Sequence, residues 1–380
     1  MLDRARFPRA KACSEYLSPE ASRVLADMGA LEDVEQSGAA RLAGMRIRSP
    51  NGTWMQGEFA SVNGFRAFRD TGLALPRERL DTILLECARR SGAHVEEETR
   101  VVDVEHDETG RVTGVHVLTS SGPALRPARV VVGADGLRSV VARRLGVARI
   151  GRWPRRIALV ARYRGVDGVG DHGEMHVERD GYAGLADVGG GVTNVAVVVP
   201  ARRGREIAGA GAAAFLEAWL GARGHLAPRF AGAHRVSPVL ATGPFASHAR
   251  RAWAPGAALV GDAADFFDPF TGEGIYAALR GGEMLATHLL ATGGIGDRHA
   301  VDESLRAYDR ARRDEFGGKW VVERVIGAAV ASCFLMNRAA RGFAKRHDLA
   351  DLLVGVTGDF VPAREVLRPR FVLGLLSAAV

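Results

Sequence analysis

The sequence predicts an α/β protein, α+β overall, with an antiparallel sheet inserted into it and a helical C-terminal region. Three observations carry this. Two short apolar runs, ARVVVGADG at 128–136 and GAALV at 256–260, each end in a Gly-Asp or Asp-Gly turn followed by a helical pattern. Between them, residues 156–199 change to strand-like runs separated by turns: RIALVARYRGV, GEMHVERDG, YAGLADVGGG and VTNVAVVVP. Beyond residue 300 the pattern is mainly helical. Strands that alternate with helices make an α/β layer, and a run of consecutive strands makes a separate antiparallel one.

The individual elements follow from periodicity. In PRERLDTILLECARRSG, 76–92, the residues Leu80, Ile83, Leu84, Cys87 and Ala88 fall on one helical face. Pro76 suits the first helical position and Gly92 the stop. This makes Cys87 a core residue. TRVVDVEHD and RVTGVHVLT, separated by Glu108–Gly110, read as a β-hairpin. Helices are expected at about 211–222 and from about 273 to 291.

Composition excludes several classes. The 380 residues can bury a large core, and 47% hydrophobic with 25% charged residues is ordinary for a globular protein. The net charge of +7 rests on 51 basic residues, of which three are lysine. The arginines are scattered, with no aromatic-interleaved basic stripe, so the excess points to GC-rich coding and not to nucleic acid. Cys13, Cys87 and Cys333 are odd in number and far apart. That fits a reducing, cytoplasmic setting without disulfides. No signal peptide is read at the N-terminus, and no uninterrupted apolar run reaches the roughly 18 residues of a membrane span. The apolar stretches at 321–336 and 370–380 read as core helices, with peripheral membrane contact as the lesser alternative. His172 and His176 lie four apart in a strand, a spacing that does not suit a metal site. No Ser/His/Asp or metal cluster suggests a catalytic centre of its own.

The chemistry concentrates in LVGDAADFFDPFTGEGIYAALR, 259–280. A strand runs into Gly261-Asp262, then a loop with Pro269, then Thr271-Gly272-Glu273-Gly274 and a helix. An aspartate at a strand end accepts hydrogen bonds from sugar or ribityl hydroxyls. Glycines let backbone approach a flat ring, and a helix N-terminus offers free N–H groups and a positive dipole end. A second segment, VVVGADGLRSVVARRLG at 130–146, places Asp135 and Gly136 where a diphosphate can sit, with Arg138 as a counter-charge. Taken singly, each is also an ordinary strand–turn–helix with a capping aspartate.

Together the two segments resemble the Asp-Gly and Gly-Asp motifs of the para-hydroxybenzoate-hydroxylase-fold flavoproteins. These include single-component aromatic monooxygenases and geranylgeranyl reductase-like enzymes. The order also matches: Asp-Gly motif, antiparallel substrate domain, Gly-Asp motif, C-terminal helices. DPFTGEGI is closer to the reductase-like branch, and RARFPRAKACSEYLSP is similar to that branch's FPRxKxCG segment, with Ser14 in place of its glycine.

The resemblance implies an FAD-binding, Rossmann-like domain and an FAD-dependent oxidoreductase, reductase or monooxygenase, acting on an apolar organic molecule. NAD(P)H is a possible electron donor. No WxWxIP string is present, which argues against halogenation. The implied cofactor residues are Asp262 on the ribityl chain and Gly261, Pro269, Gly272, Glu273, Gly274 and Ile275 at the isoalloxazine. Asp135 and Gly136 would serve the diphosphate region, Arg77 the FAD, and Asp3 the adenosine ribose. Cys13 would lie near the flavin and the substrate cavity. The implied domains are a discontinuous FAD-binding domain (1–40, 76–150, 245–300), a substrate domain (41–75, 151–244) and a helical region (301–380).

Members of this fold open with a strand, a GxGxxG loop and a helix. This chain opens at a position equivalent to the end of their second strand. About 30 residues, roughly one βα unit, are expected to be missing. A start assigned too late explains that best. The alternative is a truncated, flavin-free binding or scaffold protein derived from such an enzyme.

Overall fold

A computed structural model describes residues 1–151, 153 and 155–378, so the last two residues of the expected helical region lie outside it. The two strands that precede the Asp-Gly and Gly-Asp turns are direct neighbours. Val131–Gly133 pairs in parallel with Ala257–Leu259, Val132 against Ala258 and Gly133 against Leu259, and Val260 N donates to Gly133 O at 3.0 Å. Trp253–Ala254 closes the outer edge antiparallel. Segments more than 120 residues apart thus leave the same end of one small sheet, which sets Asp135 and Gly261-Asp262 side by side.

The Arg77–Arg90 helix starts one residue later than expected, with Pro76 as its N-cap. Gly92 follows its C-terminus at φ +86°, the left-handed conformation glycine adopts without strain. Leu80 and Cys87 are in the core as expected, but Leu85 is buried too, so more than one stripe is covered. Arg100–His106 and Val112–Thr119 form the hairpin, and Gly122–Pro127 adds a third strand.

The strand-rich block builds an eight-stranded sheet. Arg156–Arg164, Val192–Pro200, Gly181–Asp187 and His172–Glu178 pair antiparallel in that spatial order. Gly44–Arg48 then joins in parallel and Trp54–Glu58 follows it. Period-two alternation splits the core. Leu159, Ala161, Leu185, Val195 and Val197 face the Ala212–Gly221 helix, with its Phe215, Leu216 and Trp219. Ala158, Val160, Met175, Tyr182 and Val198 face the C-terminal helices. Because both faces are covered, these strands read as near-continuous apolar runs.

A 33-residue helix, Arg298–Val330, ties the two layers together. Its first half contributes Val301, Leu305, Tyr308 and Phe316 to the core around the parallel strands. Its last turns contribute Val322 and Val330 to the core beneath the large sheet. Cys333–Lys345, His347–Thr357 and Pro369–Ala378 complete the helical region. No single described helix is long and apolar enough to cross a membrane.

Candidate cofactor site

The Gly-Asp turn is shaped by its glycines. Gly261 sits at φ +56°, and a Cβ there would lie 3.0 Å from the Cβ of Ala278, so only glycine lets the turn nest on the Gly274–Leu290 helix. Tyr308 steadies the approach by donating to Leu259 O at 2.9 Å. Asp262 follows on a short 3-10 turn, Gly261–Ala263. Its carboxylate faces the start of the Gly274–Leu290 helix: a Cβ on Gly274 would be 3.8 Å from Asp262 Oδ1. Burial pushes the Asp262 carboxyl up, and the cations Lys11, 3.9 Å away, and Arg77 pull it back.

The loop between turn and helix is pinned to the large sheet. Asp268 caps the Pro269–Thr271 turn by accepting from Phe270 N at 3.1 Å. The same carboxylate accepts from Tyr182 Oη at 2.7 Å and from Arg156 Nη1 at 2.6 Å, all three residues being buried. Gly272 is left-handed, at φ +76°, and its missing Cβ would lie 2.8 Å from the Tyr16 ring. The Gly274–Leu290 helix then begins, with Ile275 half-buried against the core.

Glu273 turns away from this surface into a buried charged cluster. Burial pushes its carboxyl up to about 8, opposed by Lys319, 3.9 Å away, and raised further by Asp359. Lys319 is ion-paired with Asp359, whose side chain is fully buried. A water-sized cavity of about 30 Å³ lies among Glu273, Tyr276, Lys319, Glu323 and Asp359. Burial thus disfavours the charged form of Glu273, while Lys319 is paired with Asp359. The positive end of the Gly274–Leu290 helix dipole favours an anion at the Gly272–Gly274 surface.

The N-terminal strip brings further charges together. Leu2 bridges in parallel to Glu96, and Asp3 N donates to Glu96 O at 3.0 Å. Arg9 lies 3.8 Å from Asp3 and 3.6 Å from Asp81. Arg77 forks onto Asp81 at 2.8 and 3.0 Å, and it also meets the Cys13 thiol. Cys13 is half-buried, and its carbonyl accepts from Asn194 of the large sheet at 3.0 Å. Residues 3–13 thus run from Glu96 past Arg77 to Asp262. The sequence had singled out Cys13, Arg77, Asp3 and Asp262 separately, and the structure joins them through Arg9, Lys11 and Asp81. Lys11 was visible in the FPRAK string, whereas Asn194 and Asp81 carried no local signal.

One expectation changes. Arg138 does not stand as a counter-charge beside the Asp135 turn, since its guanidinium donates to Gly243 O at 2.6 Å. Asp135 acts as a helix cap through Oδ2, which accepts from Val140 N at 2.6 Å and Val141 N at 3.2 Å. Beside it Gly136, at φ +79°, has open space where a Cβ would be. His172 and His176 pair with separate carboxylates, Glu58 at 3.0 Å and Glu174 at 2.9 Å. A surface depression of about 500 Å³, lined by Arg280, His288 and Glu315 of two helices, holds none of these groups.

Residues 1–162 match the FAD binding domain family. A menaquinone reductase from Mycolicibacterium smegmatis is 30% identical over 341 residues, covering 82% of this chain and 76% of the relative. The chain belongs to these FAD-dependent oxidoreductases. A digeranylgeranylglycerophospholipid reductase of Methanoculleus marisnigri is 29% identical over 277 residues, 71% of this chain and 65% of that protein. Among solved structures, a flavoprotein/dehydrogenase from Cytophaga hutchinsonii superposes with a TM-score of 0.79 at 19% identity, covering 100% of this chain and 91% of that one. A flavin-dependent brominase variant gives 0.77 at 19% identity over 98% and 92%. At such identities these two show the shared fold only. The FAD-dependent oxidoreductase fold accounts for the glycine positions: Gly261 and Gly272 are cradles that a Cβ would fill, and they flank a carboxylate at a strand end. The residues present fit the ribityl and flavin-ring end of FAD.

Proposed function

We propose that this FAD-dependent oxidoreductase reduces an apolar organic molecule carrying a polyprenyl-type chain, with NAD(P)H as the electron source. One observation supports the site: the parallel register of Val131–Gly133 with Ala257–Leu259, which brings the Asp-Gly and Gly-Asp turns to the same end of one sheet, with the Gly274–Leu290 helix starting beyond the second turn. Ligands of open α/β sheets bind outside the carboxyl ends of such strands. The relatives named for menaquinone and for digeranylgeranylglycerophospholipid support the substrate class, and DPFTGEGI with FPRAKAC supports reduction over hydroxylation.

In this reading Asp262 accepts hydrogen bonds from the ribityl hydroxyls, and Lys11 opposes the burial that pushes its carboxyl up. The backbone of Gly272, Glu273, Gly274 and Ile275, following Pro269, borders the isoalloxazine, and the helix dipole stabilises negative charge there. Asp135 organises the turn in which Gly136 gives a diphosphate room to approach. Arg77 and Asp3 serve the FAD nucleotide, and Cys13 borders both flavin and substrate. Bound FAD supplies hydride transfer, while the protein supplies position, charge and exclusion of water. The flavin-bearing part comprises 1–40, 76–150 and 245–300, and the substrate faces the sheet built from 41–75 and 151–244.

The test is flavin retention. Purified chain mixed with FAD is expected to show a raised melting temperature and the flavin spectrum, and Asp262→Ala is expected to lower affinity at least about tenfold, the loss of one charge-assisted hydrogen bond. A chain that FAD neither colours nor stabilises would be the flavin-free scaffold instead. Retention unchanged by Asp262→Ala would remove that residue from the site.

A further inference from the structure

The C-terminal helices leave large apolar side chains in water. Cys333–Lys345 and Pro369–Ala378 pack antiparallel. The rings of Phe343 and Phe371 meet at 6.1 Å at one end, and Arg338 donates to Leu376 O at 3.3 Å toward the other. Gly342 allows the close approach, since a Cβ there would lie 2.6 Å from Leu375 O. This packing turns Met336, Ala340, Phe343 and Phe371 inward. It leaves Phe334 70% and Leu373 65% exposed, with Leu335 and Leu376 exposed beside them. The preceding long helix bends by 110° into this pair, and Val325, in its last two turns, is 59% exposed. Single exposed leucines are normal, but a group of them at one corner calls for a partner.

The charges around the corner say which partner. Glu365 is the shared acceptor of Arg364, Arg368 and Arg370, three cations on one carboxylate. Arg341 and Lys345 are exposed on the helix that carries Phe334. A second copy of this chain docked through the same face in a two-fold dimer would bring these cations against each other. An anionic lipid surface complements both features, since acyl chains take the apolar side chains and headgroups take the guanidinium groups.

We propose that the corner formed by Phe334, Leu335, Leu373 and Leu376, flanked by Arg364, Arg368 and Arg370, seats the chain on an anionic bilayer. No single described helix is long and apolar enough to span it, and the pair Arg298–Val330 and Cys333–Lys345 is bent by 110°, so the contact is taken as interfacial. The argument uses the C-terminal helices alone and does not depend on the flavin site, so the failure of either leaves the other standing. If the substrate is a membrane-dissolved lipid, this corner places the protein where that substrate resides.

The experiment is co-sedimentation of the full chain with vesicles of equal parts phosphatidylglycerol and phosphatidylcholine. The chain is expected to sediment with them and to be released at high salt or with phosphatidylcholine alone. Phe334→Ser with Leu373→Ser is expected to weaken partitioning on the order of tenfold or more, with an unchanged melting temperature because both side chains are exposed. Arg368→Gln with Arg370→Gln is expected to weaken binding to the anionic vesicles only. The proposal is overturned if the wild-type chain stays in the supernatant or if the apolar pair sediments like wild type. It is also overturned if light scattering reveals a dimer that the same pair of substitutions dissolves.

Discussion

Glu15 offers a direct reading of how burial and charge are balanced beside the proposed site. It is 3% exposed and its backbone is left-handed, at φ +63°, an uncommon conformation for a glutamate. Oε1 accepts from Arg77 N at 3.0 Å, Oε2 has no hydrogen-bond partner among the described residues, and Arg162 Nε stands 3.9 Å from Oε1. Burial dominates: it raises the carboxyl from 4.5 to about 7, while Arg162 and the Arg77 N–H pull it down. A folded-state value above the unfolded one means that the folded chain binds more protons in this window. The stabilisation is therefore complete below about pH 4.5 and is lost as pH rises through about 7. At about 1.4 kcal/mol per unit, the whole window is worth roughly 3 kcal/mol. Glu15→Gln keeps the acceptor for Arg77 and cannot ionise. The variant is expected to match wild type near pH 4.5 and to exceed it by up to about 3 kcal/mol by pH 8. Urea unfolding followed by tryptophan fluorescence across that range measures the gap. A gap that does not change with pH, or one that favours wild type as pH rises, would refute the reasoning. The two arginines would then outweigh desolvation, and Glu15 would be an ordinary carboxylate.

Gly272→Ala is expected to lose about 1–3 kcal/mol, since it combines a left-handed backbone with a Cβ 2.8 Å from the Tyr16 ring. Gly136→Ala, with a similar φ but open space, is expected to lose only about 1 kcal/mol; equal losses would mean that the Tyr16 contact relaxes freely. Lys319→Met strands the Asp359 carboxylate inside the protein and is expected to cost about 3–5 kcal/mol. Lys319→Met with Asp359→Asn is expected to recover about half of that, because no uncompensated charge remains; an additive loss in chemical denaturation would contradict the pairing.

What the sequence made legible was local. The turn at Gly261-Asp262, the helix start at Gly274 and the hairpin around Glu108–Gly110 each announce themselves within a few residues. The large sheet was readable because its strands are seven to nine residues long and rich in valine. Tyr16–Leu17, Ala40–Leu42 and Gly72–Ala74 form a sheet of their own, but runs of two or three residues are too short to show a period. The site's supporting shell was equally hidden. Arg156 meets Asp268 across 112 residues and Asn194 meets Cys13 across 181, pairings that depend on how the sheet sits on the strip at 3–13. Arg138 shows the converse error: a cation two residues from a presumed anion site found a nearer acceptor in Gly243.

The long helix explains why these distant pieces act together. Over about four turns it presents Tyr308 to the strand before Gly261-Asp262, Lys319 to Glu273 at the start of the Gly274–Leu290 helix, and Val322 to the core beneath the large sheet. Asp268 makes the complementary link, since one carboxylate caps the loop and also holds Arg156 and Tyr182 of the sheet. The Gly272–Gly274 surface is thus clamped from behind by the helix and from the side by the sheet. A loop with two glycines in three residues would otherwise be among the most mobile parts of the chain. In the proposed reading the clamp lets those glycines bring backbone close to a flat ring without giving up a fixed geometry, which a site that must align a ring with a substrate requires. The buried Lys319–Asp359 pair and the Arg156–Asp268–Tyr182 network are costly ways to stabilise a fold. Their position on two sides of one short loop makes sense as the means of holding that loop still.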